Sequence, residues 1–150
     1  QSSKAPPAPP AAQTLPATSA GQTLYLPVYS HVYHGDTDSK GQPVKTLLSI
    51  MVSVRNTSAT RPIHIETVRY YDTDGKRLRD YVPTPRLVGP MGTAEFFVSR
   101  SDDTGGSGAN FVIVWKADGH VSPPMAQAVH LDRQAGRSIA FITTATEIQP

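Results

Sequence analysis

Hydrophobic and polar residues alternate along short runs from Leu24 onward. In KTLLSIMVSV, the apolar residues Leu48, Ile50, Val52 and Val54 occupy even-numbered positions. The odd-numbered positions carry Ser49, Met51, Ser53 and, directly after the run, Arg55. A period of two is typical of a β-strand with one buried face. The run therefore predicts a half-buried strand.

The next run, IHIETVRYY, changes its phase. Its apolar positions move from odd numbers (Ile63, Ile65) to even ones (Val68, Tyr70), which predicts a β-bulge near residues 66–67. The segment YDTDGK then predicts a hairpin turn in which glycine supplies the positive φ, and RLRDYV is the returning strand. Two paired strands are therefore expected here.

Four later runs, TAEFFVS, NFVIVWK, MAQAVHL and RSIAFITT, each predict one further strand. The NFVIVWK run is apolar at both parities, which indicates a central strand carrying Trp115. No window has helical spacing. Eight or so short strands with a central tryptophan favour an all-β fold, a two-sheet antiparallel β-sandwich of immunoglobulin-like type. A small closed barrel is the alternative.

Residues 1–22 differ from the remainder of the chain, because they consist almost entirely of Pro, Ala, Ser, Thr and Gln. So few apolar side chains cannot offset the entropy of ordering, and we expect a flexible Pro/Ala-rich tether. Residues 23–150 then form a single β-sandwich domain. The first residue is Gln1 rather than Met, which favours a mature exported protein located in the periplasm or at the cell surface. A cloning boundary is the alternative.

Composition narrows the function classes. The 150 residues carry a formal net charge of +2 and no run of Lys or Arg, which disfavours nucleic acid as a partner. No apolar stretch approaches the roughly 20 residues of a membrane span. The absence of cysteine excludes disulfides, thiolate metal sites and cysteine nucleophiles. Membrane anchoring, if there is any, would lie outside these residues.

The segment YSHVYHGD, residues 29–36, contains two histidines. If one strand continues from Leu24, His31 and His34 point to opposite faces and cannot share an ion. A bulge at Ser30 would bring them together, although zinc requires three or four ligands. Further His and Met side chains could complete a copper-type set. We interpret the pair as hydrogen-bonded histidines on a tyrosine-rich face, with a copper or zinc site at His31 and His34 as the alternative.

The segment SDDTGGSGANF, residues 101–111, is rich in glycine. Its backbone N–H groups could form an anion-binding nest, and its path before the tryptophan strand is expected to be demanding. Calcium binding by Asp102 and Asp103 together with Asp36 or Asp38 is an alternative, although the spacing gives no calcium loop of known type. Ser107 resembles a hydrolase nucleophile only loosely, because Ala109 replaces the final glycine of G-x-S-x-G and a strand follows. A wide turn is the simplest interpretation.

Five segments together resemble one bacterial family: LYLPVYSHVYHGD, LSIMVSVRNTS, IHIETVRYYDTDGK, EFFVSRSDDTGGSGANFVIVW and RSIAFIT. The family is catalogued as domain of unknown function 3124, found in exported proteins and lipoproteins. The resemblance extends from Leu24 to about Ile142, and YSHVYHGD and DTGGSGANFVIVW are its most specific motifs. It implies a single exported domain and carries no chemistry. The chain has no lipid-acceptor cysteine.

These observations favour a non-catalytic binding module outside the cytoplasm, without a cofactor, that recognises a protein or a small molecule through loops at one end of the sandwich. A metal-binding protein is the alternative, and a hydrolase is a weaker one. The candidate binding residues lie in the two motifs: Tyr29, His31, Tyr33, His34, Asp36, Asp102, Asp103, Ser107 and Asn110.

Overall fold

The computed structural model describes residues 3–10, 15 and 17–150. Within these residues the chain forms β-strands and no helix, as the alternating patterns predict. The strands are β1 (Ser19–Val28), β2 (His31–Thr37), β3 (Pro43–Leu47), β4 (Ser49–Arg55), β5 (Ile63–Tyr71), β6 (Arg77–Asp80), β7 (Arg86–Val88), β8 (Thr93–Val98), β9 (Ala109–Val121), β10 (Met125–Gln134), β11 (Arg137–Thr144) and β12 (Thr146–Ile148).

The strands form two main antiparallel sheets. The first has the order β12-β1-β9-β5-β6, with β7 also paired to β5, and the second has the order β11-β10-β4-β8. The hairpin β2–β3 is a separate two-stranded sheet. The sheets do not close into a barrel, which confirms the predicted sandwich over the alternative.

The core lies between the two main sheets and contains side chains from both. Leu48, Ile50, Val52 and Val54 are fully buried, as their alternation predicts. Trp115 is also fully buried in β9, the middle strand of the first sheet, and its indole Nε1 donates a hydrogen bond to Gln22 Oε1 at 3.1 Å. The central position predicted for the tryptophan strand is confirmed.

The predicted bulge and hairpin are both present. The register of β5 against β9 shifts between Ile65 and Thr67, close to the position where the apolar pattern changes phase. The turn after β5 is closed by a hydrogen bond from Asp72 N to Lys76 O at 2.9 Å, and Gly75 has a φ of 84°. The local sequence is sufficient to define these features because each depends on neighbouring residues.

The single strand considered above, continuing from Leu24 through both histidines, is not present. β1 ends at Val28, and β2 begins at His31 in a different sheet. Burial follows even positions up to Ser30 and then changes to His31. The break arises because the backbone N–H of Tyr29 donates to His130 Nε2 at 3.1 Å instead of joining a ladder.

The N-terminal end of β1 lies inside the segment predicted to be a tether. β1 begins at Ser19, and Gln22 pairs with Trp115 of β9. The described residues before β1 (3–10, 15, 17 and 18) are exposed and belong to no strand. Residues 1, 2, 11–14 and 16 of the predicted tether lie outside the described residues. No helix of the described residues is long and apolar enough to cross a membrane.

Candidate functional site

The hairpin β2–β3 connects the two main sheets, and Ser30 attaches it to the glycine-rich loop. Ser30 N donates to Gly106 O at 3.0 Å, and Gly106 N donates to Ser30 Oγ at 2.7 Å. On the other side, Leu48 N donates to Ser30 O at 2.9 Å. The structure therefore brings the two segments YSHVYHGD and SDDTGGSGANF into direct contact.

The glycine-rich loop passes so close to its neighbours that two positions require glycine. A Cβ at Gly105 would overlap the hydroxyl of Tyr70, which is buried in the core. Gly106 has a φ of 87°, a conformation that other residues rarely adopt. Thr73 accepts a hydrogen bond from Gly108 N at 3.0 Å and donates one to Gly105 O at 3.1 Å. The loop is thus fixed to the β5–β6 turn, and its path is demanding, as expected.

Asp103 joins the loop to the hairpin. Its Oδ1 lies 2.6 Å from His31 Nδ1 and accepts from Ser30 Oγ at 3.3 Å, and its Oδ2 accepts from Lys45 Nζ at 2.7 Å. We call these four residues the Asp103 clamp. Burial raises the pKa of Asp103, but the hydrogen bonds from Lys45 and His31 outweigh it, and the pKa is lowered. The carboxylate is therefore ionised and holds both strands of the hairpin.

His31 and His34 lie on opposite faces of β2. His31 packs against Tyr33, with ring centroids 5.1 Å apart, on the side of Asp103. His34 Nε2 instead lies 2.8 Å from Thr46 Oγ1. No group of three or more His, Asp or Glu side chains within the described residues is placed to hold a metal ion. The two imidazoles do not converge, as strand alternation predicts.

The other predicted site residues do not form one constellation. Tyr29 packs edge-on against His130 and Phe141. Asp36 and Asp102 accept hydrogen bonds from the backbone of the residues that follow them, as turn residues do. The remaining three are not members of the clamp: Tyr33 is exposed and packs on His31, and Ser107 and Asn110 are half-buried.

His130 is a buried polar residue that the sequence interpretation did not assign. Its ring is fully buried, stacks on Phe141 with centroids 4.3 Å apart, and accepts the Tyr29 N–H. Burial lowers the pKa of His130 to about 4, so the imidazole is neutral at pH 7. In MAQAVHL, His130 occupies an even-numbered position like the buried residues Ala126 and Ala128. This alternation was the sequence feature from which its burial could have been predicted.

A groove of about 710 Å³ lies between β3 and the β10–β11 hairpin. Five charged side chains line it: Lys45, Arg100, Asp103, Asp132 and Arg137. Only Asp103 was among the predicted site residues. The others were missed because the lining comes from three segments distant in sequence, around residues 45, 100–103 and 132–137, and no spacing rule relates these segments. The groove has the size of a small-molecule site.

The charges of the groove are ordered by specific contacts. Arg100 Nε donates to Asp132 Oδ1 at 2.8 Å, and Asp132 is only 5% exposed. Lys45 is held by Asp103, whose hydrogen bond raises the pKa of the lysine. Both cations are therefore fixed at the edge of the groove by buried or half-buried carboxylates.

Comparison with known proteins identifies one family. A family model described as "Protein of unknown function (DUF3124)" matches residues 21–148. No curated protein matches the sequence. A solved structure described as "Crystal Structure of Thermotoga maritima 1070" is similar, with a TM-score of 0.45 and 11% identity over 83% of this chain and 92% of that chain. That similarity is too low to support a statement about fold or function.

Proposed function

This chain belongs to the DUF3124 family of proteins of unknown function, and we propose that it is a non-catalytic binding module that acts outside the cytoplasm. Its ligand, a protein segment or a small molecule, occupies the groove between β3 and the β10–β11 hairpin. The observation that carries the proposal is the groove itself, with charged side chains held in place by hydrogen bonds. Such preorganisation favours recognition because little side-chain entropy is lost on binding.

The arrangement of hydroxyl groups supports a non-catalytic function. A serine hydrolase needs an accessible nucleophile hydrogen-bonded to a histidine, with oxyanion donors nearby. Ser107, the candidate nucleophile, forms no hydrogen bond with a histidine among the described residues, and Ser30, the neighbour of His31, is fully buried with its hydroxyl hydrogen-bonded to Asp103 and Gly106. His31 directs Nδ1 at Asp103, and these contacts fit a structural connection between hairpin and loop.

The composition of residues 1–18, the part of the predicted tether that precedes β1, supports the extracytoplasmic location. A Pro- and Ala-rich segment behaves as an extended spacer, as is common between a domain and an envelope surface. The location is tested by cell fractionation of the native producer with an antibody against the domain. Recovery in the cytoplasmic fraction would contradict this part of the proposal.

Binding is tested by a thermal-shift screen of the full chain against small organic acids, phosphates, saccharides and short peptides. A ligand should raise the melting temperature by mass action. Amide chemical-shift changes in 15N NMR spectra should then concentrate on β3 and on the turn between β10 and β11. Arg55 supplies the matched control, because it is exposed at the opposite end of β4 and Arg55→Ala should leave binding unchanged.

The second sheet carries an exposed row of apolar side chains, and ligand binding at this row would contradict the proposed function. Phe97 pairs with Met51 across β8 and β4, and Ile142 lies two strands further along the same row. Shifts confined to this row, with no change in the groove, would show that the groove is not the binding site. That result would overturn the proposed function.

A further inference from the structure

The charged lining of the groove points to the chemical class of the ligand. We propose that the groove binds a small molecule through an oxyanion, a carboxylate or a phosphate, that is held by Arg100 together with Lys45 and Arg137. This inference rests on the proposed function and specifies what the same groove recognises.

Arg100 is the principal anion ligand because Asp132 positions it. The buried carboxylate binds Nε, and within the described residues neither Nη group has a hydrogen-bond partner. A guanidinium fixed through Nε presents two parallel N–H donors, the geometry that matches carboxylate and phosphate. The side chain is about half exposed (48%), so these donors are accessible.

Lys45 and Arg137 supply further donors. Lys45 Nζ uses one contact, with Asp103, so an ammonium with three donors keeps capacity for another acceptor. Arg137 begins β11, is exposed, and forms no ion pair with the described residues. Three cationic groups from three separate segments therefore line one groove.

The two carboxylates of the groove do not favour a cationic ligand. Asp103 already accepts from Ser30 and Lys45 and contacts His31, and Asp132 is bound by Arg100. A cation would compete with these contacts, whereas an anion uses donors that are free. The lining consists of three cations and two satisfied carboxylates, which favours an anion.

Titration by 15N NMR tests the inference on the full chain at constant ionic strength. The probes are inorganic phosphate, succinate and the neutral isostere succinamide. Phosphate or succinate should give saturable shifts at the groove and at the Arg100 Nε–H signal, whereas succinamide should give none. A response to succinate alone would assign a carboxylate source, and a response to phosphate alone would assign a phosphate source.

Variants identify the groups that bind. Arg100→Gln should weaken the affinity about tenfold or more, the effect expected from losing a charged hydrogen bond. Because this change leaves Asp132 buried without its partner, Arg137→Gln is the second variant, expected to weaken binding several-fold without affecting folding. Arg55→Gln is the control and should change the affinity less than twofold.

The two proposals fail in different ways. If succinate and succinamide bound equally at the groove, and neither Arg100→Gln nor Arg137→Gln changed the affinity, the proposal of an oxyanion ligand would be overturned. The proposal of a binding module would stand. Absence of any saturable anion binding at the groove, while another compound from the screen binds there, would also overturn the oxyanion proposal. The proposal of a binding module would stand. Binding of every active compound elsewhere on the domain would overturn both.

Discussion

At the scale of single residues, polar side chains rather than apolar ones determine the path of the chain where β1 ends and the β2–β3 hairpin begins. Ser30, Asp103 and His130 each hold the backbone or a side chain of a segment more than 70 residues away. All three are buried or half-buried, and a buried polar group must be hydrogen-bonded to be tolerated. The chain therefore leaves the first sheet at Tyr29 because partners for its backbone exist elsewhere.

The buried imidazole of His130 should make stability depend on pH. Burial lowers its folded-state pKa to about 4, below the ordinary value of 6.5. The unfolded chain then takes up a proton first as pH falls, so the free energy of unfolding should drop by about 3 kcal/mol between pH 7 and pH 4. Urea denaturation at several pH values measures this loss.

Two controls separate His130 from other groups. His130→Gln keeps an acceptor for Tyr29 N and should flatten the slope between pH 6.5 and 4. Asp103, whose pKa is lowered, contributes stability that is lost as pH falls from the ordinary carboxyl pKa of 3.8 towards the lower folded-state pKa, so most of its effect falls below the pH range of His130. An imidazole signal of His130 that titrates near pH 6.5 in the folded protein would contradict the prediction.

Sequence reasoning succeeded at this scale where the cause is local. The opposite directions of His31 and His34 follow from strand alternation alone, and their contacts with Asp103 and Thr46 agree. An irregularity at Ser30 was considered only as an alternative, because the contacts with Gly106 and His130 that produce it come from distant segments. Likewise, nothing in the spacing relates Arg100 to Asp132.

At the scale of elements, long runs of alternating residues were predictable and short or isolated strands were not. β4 and β9 each present a continuous buried face that any sheet would need, and β5 presents one that is interrupted only at its bulge. β7 and β12 have three residues each, too few to show a period. The hairpin β2–β3 is mostly exposed and pairs with neither main sheet, so its sequence has little apolar alternation.

The close approach of the glycine-rich loop to Tyr70 can be tested by adding a methyl group at Gly105. Gly105→Ala should destabilise the domain by about 1–3 kcal/mol, since the added methyl group overlaps the buried Tyr70 hydroxyl and the surroundings must shift. Gly89→Ala is the matched control, because its added methyl group would enter open space and its backbone is not left-handed. Chemical denaturation compares the two. Equal stabilities would show that the loop can move away from Tyr70.

The central strand gives a second test. Trp115→Ala should destabilise by about 3–5 kcal/mol, because it empties a fully buried site in the middle of the first sheet. Gln22→Ala is the control that keeps the indole and removes the two side-chain hydrogen bonds of Gln22, to the indole and to the exposed Glu147, and it should cost about 1 kcal/mol. A near-normal melting temperature for Trp115→Ala would contradict the central position.

At the scale of the whole molecule, the pattern predicts two layers but not the order of strands within them. Every alternating run predicts a strand with one buried face. Two sheets built from such strands bury these faces when they pack against each other. Which strand pairs with which depends on contacts across the whole chain, such as β1 between β9 and β12. The groove arises only from this arrangement, because β3 and the β10–β11 hairpin are separated by about 80 residues.

The N-terminal segment gives the last prediction, because the fold begins inside the segment predicted as a tether. Deleting residues 1–18 should leave the melting temperature within about two degrees of the full chain, since the described residues in this range are exposed and unpaired. Deleting residues 1–22 instead removes the first part of β1, its pairing with β9 and the Gln22–Trp115 hydrogen bond, and should cost several degrees. Calorimetry on both truncations measures the difference. A loss of several degrees from the shorter deletion would show that the segment packs on the domain, and equal melting temperatures for both would show that residues 19–22 contribute nothing to the first sheet.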